Sequence, residues 1–231
     1  VAESTGKAGQ KTRKSEKFWD RLAKRYARMP VRDQASYEET LALTRTRLSK
    51  DDKLLEVGCG TGSTALLLAD SVKHFLATDI SGNMIAIAAD KAKAQQVQNL
   101  DFLRATLFDD SLKPGSFDVI LAFNFLHLLE DIPAAIGRVE ELLKPDGRFI
   151  SKTPCLAGHS RFLSLLVSVL GKIGIIPQVR FLSIEELETC IRQRNFTILE
   201  TGNYPASPPS RFIVARKIQS GRKDAGLRSG N

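Results

Sequence analysis

Apolar positions along the chain follow two rhythms. From Ser15 to Met29 they recur at Phe18, Leu22, Tyr26 and Met29, the spacing of one helix face, until Pro30 ends the run. A second helix is expected from Gln34 to Leu48. The pattern then shortens into apolar runs at 54–57, 74–78, 100–104, 118–122 and 147–151, which read as buried strands. Helical stretches separate them at 62–70, 82–95 and 133–143, the last with Pro133 near its first turn. Strands that alternate with helices are joined by right-handed crossovers, so the pattern predicts an α/β, doubly wound and largely parallel sheet. Pro145-Asp146-Gly147 reads as a turn feeding the fifth strand.

Beyond residue 152 the rhythm changes. Phe162, Leu165, Leu166, Val169, Leu170 and Ile173 mark the apolar stripe of a helix over 161–176, too short and too charged at its edges to span a bilayer. Ser183 and Glu186 form a capping-box pattern ahead of a helix that ends near Arg194. Two strands, 196–202 and 211–216, flank a turn rich in proline at 205–210.

Length and charge refine this picture. The 231 residues suffice for one large domain, with 42% hydrophobic and 26% charged residues. The net charge of +8 is uneven. Residues 1–53 hold 14 basic and 8 acidic groups and residues 216–231 hold 5 and 1, so 54–215 carry about −2. The expected organisation is a disordered basic tail at 1–14, N-terminal helices over 15–50 that cover the site, a main domain at 51–218 interrupted by a lid at 156–182, and a flexible tail at 219–231. The polar N-terminus lacks an apolar leader core, and three scattered cysteines form neither a disulfide framework nor a metal-ligand spacing. A reduced, cytoplasmic protein without a metal is expected.

The chemistry concentrates in Leu54-Leu55-Glu56-Val57-Gly58-Cys59-Gly60-Thr61-Gly62-Ser63, a buried strand that breaks into a glycine-rich turn and enters a helix. Asp79 follows at the end of the second strand. Closely spaced glycines let backbone approach a ligand, the following helix directs free N–H groups at it, and a carboxylate one strand on is placed for a ribose diol. Dinucleotide sites carry G-x-G-x-x-G or G-x-G-x-x-A, whereas here glycines stand at 58, 60 and 62 and Ser63 takes the last place. Glu56 beside the turn would repel a pyrophosphate and attract a cation.

The chain resembles the class I S-adenosylmethionine-dependent methyltransferases, in particular the small-molecule branch that includes the ubiquinone and menaquinone biosynthesis enzymes. The resemblance lies in LLEVGCGTG (54–62), ATDIS (77–81) with Met84, FDVILAFNFLHLL (117–129) and LLKPDGRF (142–149), and FWDRLAKRYA (18–27) resembles the lead-in of that branch. It implies a Rossmann-like sheet of about seven strands with one antiparallel strand, helices on both faces, and a helical lid after the fifth strand. The implied cofactor is S-adenosylmethionine. By the same resemblance Gly58, Cys59 and Gly60 approach its methionine and ribose, Glu56 faces the ammonium, and Asp79 takes the ribose hydroxyls. Ile80 and Met84 pack on the adenine, and Ala122 and Phe123 line the methionine end. Thr106 and Leu107 sit where many relatives have Asp followed by a small residue. Asn124 and His127 follow the fourth strand, where the acceptor meets the methyl group, and are the expected catalytic residues. Tyr26 and Trp19 are candidates to cover the cofactor.

A small, hydrophobic or aromatic acceptor is expected, with the 161–176 helix as lid, interface or peripheral membrane contact. A nicotinamide-dependent oxidoreductase shares the first strand, turn and ribose carboxylate, but not Glu56, Ser63 or the later motifs. A nucleic-acid methyltransferase is prompted by the basic ends. Base-modifying relatives, however, hold a flipped base in an N-P-P-Y-like tetrad, and Ala122-Phe123-Asn124-Phe125 stands in its place. No nucleic-acid partner is therefore expected.

Overall fold

A computed structural model describes residues 2–157 and 179–218. The expected stripe at 161–176, most of the lid at 156–182 and the tail at 219–231 lie outside them. Helix α1 (Ala2–Tyr26) and α2 (Gln34–Arg45) precede a sheet of seven strands. The strands are β1 (Lys53–Val57), β2 (His74–Asp79), β3 (Leu100–Arg104), β4 (Phe117–Phe123), β5 (Leu143–Pro154), β6 (Phe196–Asn203) and β7 (Ser210–Lys217). Between them lie α3 (Ser63–Leu68), α4 (Gly82–Ala94), α5 (Ile132–Leu142) and α6 (Ile184–Arg192).

The sheet order is β3-β2-β1-β4-β5-β7-β6. β1 pairs in parallel with β2 and β4, and β7 runs antiparallel to both β5 and β6. The chain leaves β1 toward one edge, returns and continues toward the other, so the sheet direction reverses between β1 and β4. Crevices at such reversal points open at the carboxyl ends of the strands and hold ligands. The central strands are buried on both faces, which explains their unbroken apolar runs. One face packs Leu55, Val57 and Ile120 against α5 and α6, and the other packs Leu54, Phe75 and Leu121 against α3.

Three elements differ from expectation. The helix expected from Ser15 reaches back to Ala2 through the stretch read as a disordered tail. Polar composition argues against burial there, not against helix, and Ala, Glu, Gln and Lys are good helix formers. β5 begins at Leu143, four residues early, because Leu143 pairs with Phe117 before a register shift. The expected Pro-Asp-Gly turn becomes an irregularity inside the strand, with Asp146 at φ +60°. Lys144, read as a solvated turn residue, pairs with both carboxylate oxygens of Asp118 at 2.8 and 2.9 Å. Half of the expected capping box forms: Ser183 Oγ accepts from Glu186 N at 3.0 Å, while the Glu186 carboxylate accepts from Arg180 Nη2 (2.6 Å) and does not reach back to Ser183 N.

Candidate functional site

β1 delivers the chain to the glycine turn at the carboxyl edge of the sheet. Cys59 N donates to Thr78 O (2.9 Å), which ties the turn to the end of β2. Gly58 sits at φ +71°, and a Cβ there would meet the Phe125 ring at 2.4 Å. Glycine at 58 is thus required both by backbone conformation and by the aromatic ring laid against it. A Cβ at Gly60 (φ +55°) would find only Tyr26 at 3.6 Å, so the turn is open on that side.

Asp79, at the end of β2, is fixed by two backbone donors. Gly60 N donates to Oδ2 (2.9 Å) and Ser81 N to Oδ1 (2.8 Å). Ser81 also caps α4 by accepting from Met84 N (3.1 Å) and donates to Asp20 Oδ1 (2.6 Å). Asp20 Oδ1 accepts from Asn83 N as well (3.1 Å), so α1 is docked on the first turn of α4 beside Asp79. Asp20 was not among the expected site residues. Its partners lie more than sixty positions away, and only the docking of α1 reveals them.

The electrostatics are acidic. Glu56 is 3% exposed, and its Oε2 has no hydrogen-bond partner among the described residues. Burial first, and the charge of Asp79 second, push its pKa up to about 8. Burial also raises Asp79, against the backbone donors from Ser81 and Gly60 that lower it. Burial and the same two carboxylates raise the Cys59 thiol, which stays protonated and inert as a nucleophile. The Tyr26 phenol is raised by partial burial first and then by the charges of Asp79 and Glu56, and its ring borders the turn at Gly60.

The remaining expected residues separate. Ile80 is half-buried and Met84 is buried in the first turn of α4. Thr106 is half-buried, with its hydroxyl accepting from Phe108 N (3.3 Å), whereas Leu107 is packed into the core with Leu55 and Val57. Ala122 and Phe123 are buried in the cores on opposite faces of the sheet. The side chain that reaches the turn from this segment is Phe125. Asn124 is exposed at φ +52°, and its N–H donates to Lys152 O (2.8 Å). His127 lies in a 3-10 turn at Leu126–Leu128 with Nδ1 buried and unpartnered among the described residues. Burial lowers its pKa to about 4.

A cavity of about 260 Å³ adjoins this edge. Its wall combines the 31–37 segment entering α2, Asn124, the end of β5 at Lys152, Pro154 and Leu156, and the β6–β7 turn at Pro205 and Pro208–Ser210. Tyr37 lies between cavity and turn. It lines the cavity and shares a hydrogen bond with Thr64 Oγ1 (3.2 Å) in the first turn of α3. His127 is not part of the wall. Among the described residues, no cluster of His, Cys, Asp and Glu could hold a metal, and no helix is long and apolar enough to cross a membrane.

Comparison with known proteins bears on the fold and the family. Residues 55–149 match the family described as "Methyltransferase domain". The uncharacterized methyltransferase YcgJ of Bacillus subtilis is 30% identical over 100 residues, which cover 43% of this chain and 40% of YcgJ. The matched region is thus well under half of that curated relative. The crystal structure of YcgJ superposes with a TM-score of 0.64 at 19% identity, covering 79% of this chain and 99% of that one. A geranyl diphosphate C-methyltransferase from Streptomyces coelicolor, solved with S-adenosyl-L-homocysteine, gives 0.67 at 12% identity, covering 80% and 76%. The [4+2]-cyclase SpnF gives 0.66 at 22%, covering 83% of each chain.

Sheet order, glycine turn and strand-end carboxylate make up a Rossmann-like fold. More narrowly, residues 55–149 match a methyltransferase domain, the comparisons support the class I S-adenosylmethionine-dependent kind, and S-adenosylmethionine is the cofactor of that class. The residues present fit it. A buried acid with a free oxygen and a second acid beside the turn suit a ligand with cationic groups and no phosphate.

Proposed function

We propose that this protein transfers the methyl group of S-adenosylmethionine to a small, largely apolar acceptor held in the cavity beside Tyr37 and Asn124. The observation that carries the reading is the pairing of Asp79, pinned by Gly60 N and Ser81 N, with the unpartnered buried oxygen of Glu56. In this reading Asp79 accepts from the ribose hydroxyls and Glu56 faces the ammonium. The backbone at Gly58, Cys59 and Gly60 lies along the ligand, with Ala122 and Phe123 behind its methionine end. Ile80 and Met84 flank the adenine, and the Thr106–Leu107 segment borders its edge.

The cofactor, when bound, supplies a methyl group already activated by a sulfonium. The protein therefore has mainly to align an acceptor and keep water out. Phe125 and Tyr26 bring aromatic surface to the turn for that purpose. Asn124 presents its amide to the acceptor from the cavity wall. His127, expected as a catalytic residue, is kept neutral by burial but lies outside the cavity wall, so the proposed chemistry rests on alignment and not on proton removal by this side chain. A nicotinamide dinucleotide would set its pyrophosphate against Glu56 and Asp79, and the comparisons favour neither that reading nor a nucleic-acid substrate.

Calorimetric titration with S-adenosylmethionine and S-adenosylhomocysteine tests the reading, with micromolar binding expected for both. A folded sample that binds neither would refute it. Labelled S-adenosylmethionine added to a metabolite extract would then identify the methylated product.

A further inference from the structure

Lys152 is 7% exposed, at the end of β5 in the cavity wall. An ammonium taken out of water is costly unless its charge and all three N–H groups find partners. Here Nζ donates to Thr40 Oγ1 at 3.0 Å and, at the long distance of 3.4 Å, to Ser36 O. Both acceptors are neutral, and Ser36 O already accepts from Thr40 Oγ1 at 2.6 Å. No carboxylate among the described residues lies within the 4.0 Å of an ion pair with Lys152. Asp33 and Glu39 act on it only from further off, and Asp33 Oδ1 is engaged in capping α2 through Ser36 N (3.0 Å).

The rest of the wall is mixed. Val31, Pro154, Leu156, Pro205, Pro208 and Pro209 are apolar, and the four prolines have no N–H to offer, while Asp33, Ser36, Tyr37, Asn124 and Ser210 supply its polar part. Among the described residues Lys152 is the wall's one cation, and it faces no ion-pair partner, so a ligand with both apolar surface and a negative charge would complement it. Burial drives Lys152 below the ordinary lysine pKa, which an incoming anion would reverse.

We infer that the acceptor cavity is built for a small apolar acid bound as its anion, with the Lys152 ammonium as the group that holds the negative charge. The inference rests on the proposed methyltransferase reading and names its substrate class. In that arrangement Lys152 holds the charged end of the acceptor, and Asn124, whose N–H donates to the Lys152 carbonyl, lines the same cavity beside it. It also accounts for a lysine buried where an apolar residue would fill the strand end at less cost.

The test uses the whole chain loaded with S-adenosylhomocysteine, whose binding is measured first. Three matched pairs serve as probes, followed by ligand-observed NMR: 4-hydroxybenzoate and 4-hydroxybenzamide, cinnamate and cinnamamide, hexanoate and hexanamide. In the wild type at least one acid is expected to bind about thirtyfold or more tightly than its amide. Lys152→Met should level the pair and Lys152→Arg should keep the preference, with S-adenosylhomocysteine affinity equal in all three proteins. Equal affinity for acids and amides in the wild type, or no binding by any probe, would overturn the inference without recourse to a variant. So would a preference that survives in Lys152→Met. Failure of the wild type to bind S-adenosylhomocysteine is a separate result, which removes the methyltransferase reading itself.

Discussion

The two halves of the site are built on opposite principles. The proposed donor half, at the ends of β1 and β2, gathers a buried acid, Glu56, and a half-buried one, Asp79, within a short stretch of chain. The proposed acceptor half takes one buried cation, Lys152, and a wall of mixed polarity from four remote segments, at 31–37, 124, 152–156 and 205–210. The first is a local device, set by a turn and the strand that follows it. The second exists only where the N-terminal helices, β5 and the β6–β7 turn converge. A donor site of fixed chemistry tolerates a compact local construction, while an acceptor site assembled from variable segments is where specificity resides.

The largest expected effect breaks the donor half. Asp79→Ala removes both the ribose acceptor and the anchor of Gly60 N and Ser81 N. Affinity for S-adenosylhomocysteine should fall about 100-fold or more, about 2.7 kcal/mol by calorimetry. Unchanged affinity would mean that the acid is only structural. Next comes the contact between the halves. Gly58→Ala forces a Cβ into the Phe125 ring at φ +71°, which should cost about 1–3 kcal/mol in thermal unfolding. Phe125→Ala in the same chain should restore the part due to crowding and leave the part due to backbone strain.

A third test sharpens the electrostatic contrast. Glu56 carries a pKa raised from 4.5 to about 8, so between those values the folded protein binds a proton that the unfolded chain has lost. Ligand-free stability should therefore fall as pH rises from about 4.5 to about 8, and Glu56→Gln should flatten that slope. Binding of S-adenosylmethionine near pH 7 should release a proton, seen as a buffer-dependent heat that Glu56→Gln abolishes. The last test falls on His127. His127 is lowered from 6.5 to about 4, so there the unfolded chain binds the extra proton. Stability should be lost as pH falls from about 6.5 to about 4, and His127→Gln should remove that dependence. A retained slope would assign it to other groups.

Much of the donor half was legible. The apolar run at 54–57, the glycines at 58, 60 and 62, and Asp79 are local in the chain, and their geometry follows from strand, turn and capping rules that act over a few residues. Ser81 as the α4 cap and Ser183 as the α6 cap obey the same rules. Asp20 was not legible, since nothing near it marks a partner at Ser81. Phe125 lay between two expected site residues, yet the direction of its ring depends on the path after β4. Lys152 sits at the end of an otherwise ordinary strand pattern, and its burial against Thr40 comes from packing across 112 positions.

By itself, then, the sequence determined the alternation of strands and helices, the glycine turn and the strand-end acid, because hydrophobic period and backbone conformation are short-range properties. Tertiary structure alone decided which side chains share the cavity, and that Glu56 and Lys152 lose their solvent. Burial and charge proximity are set by segments that meet only when the sheet is assembled, and those two quantities govern what the site can bind.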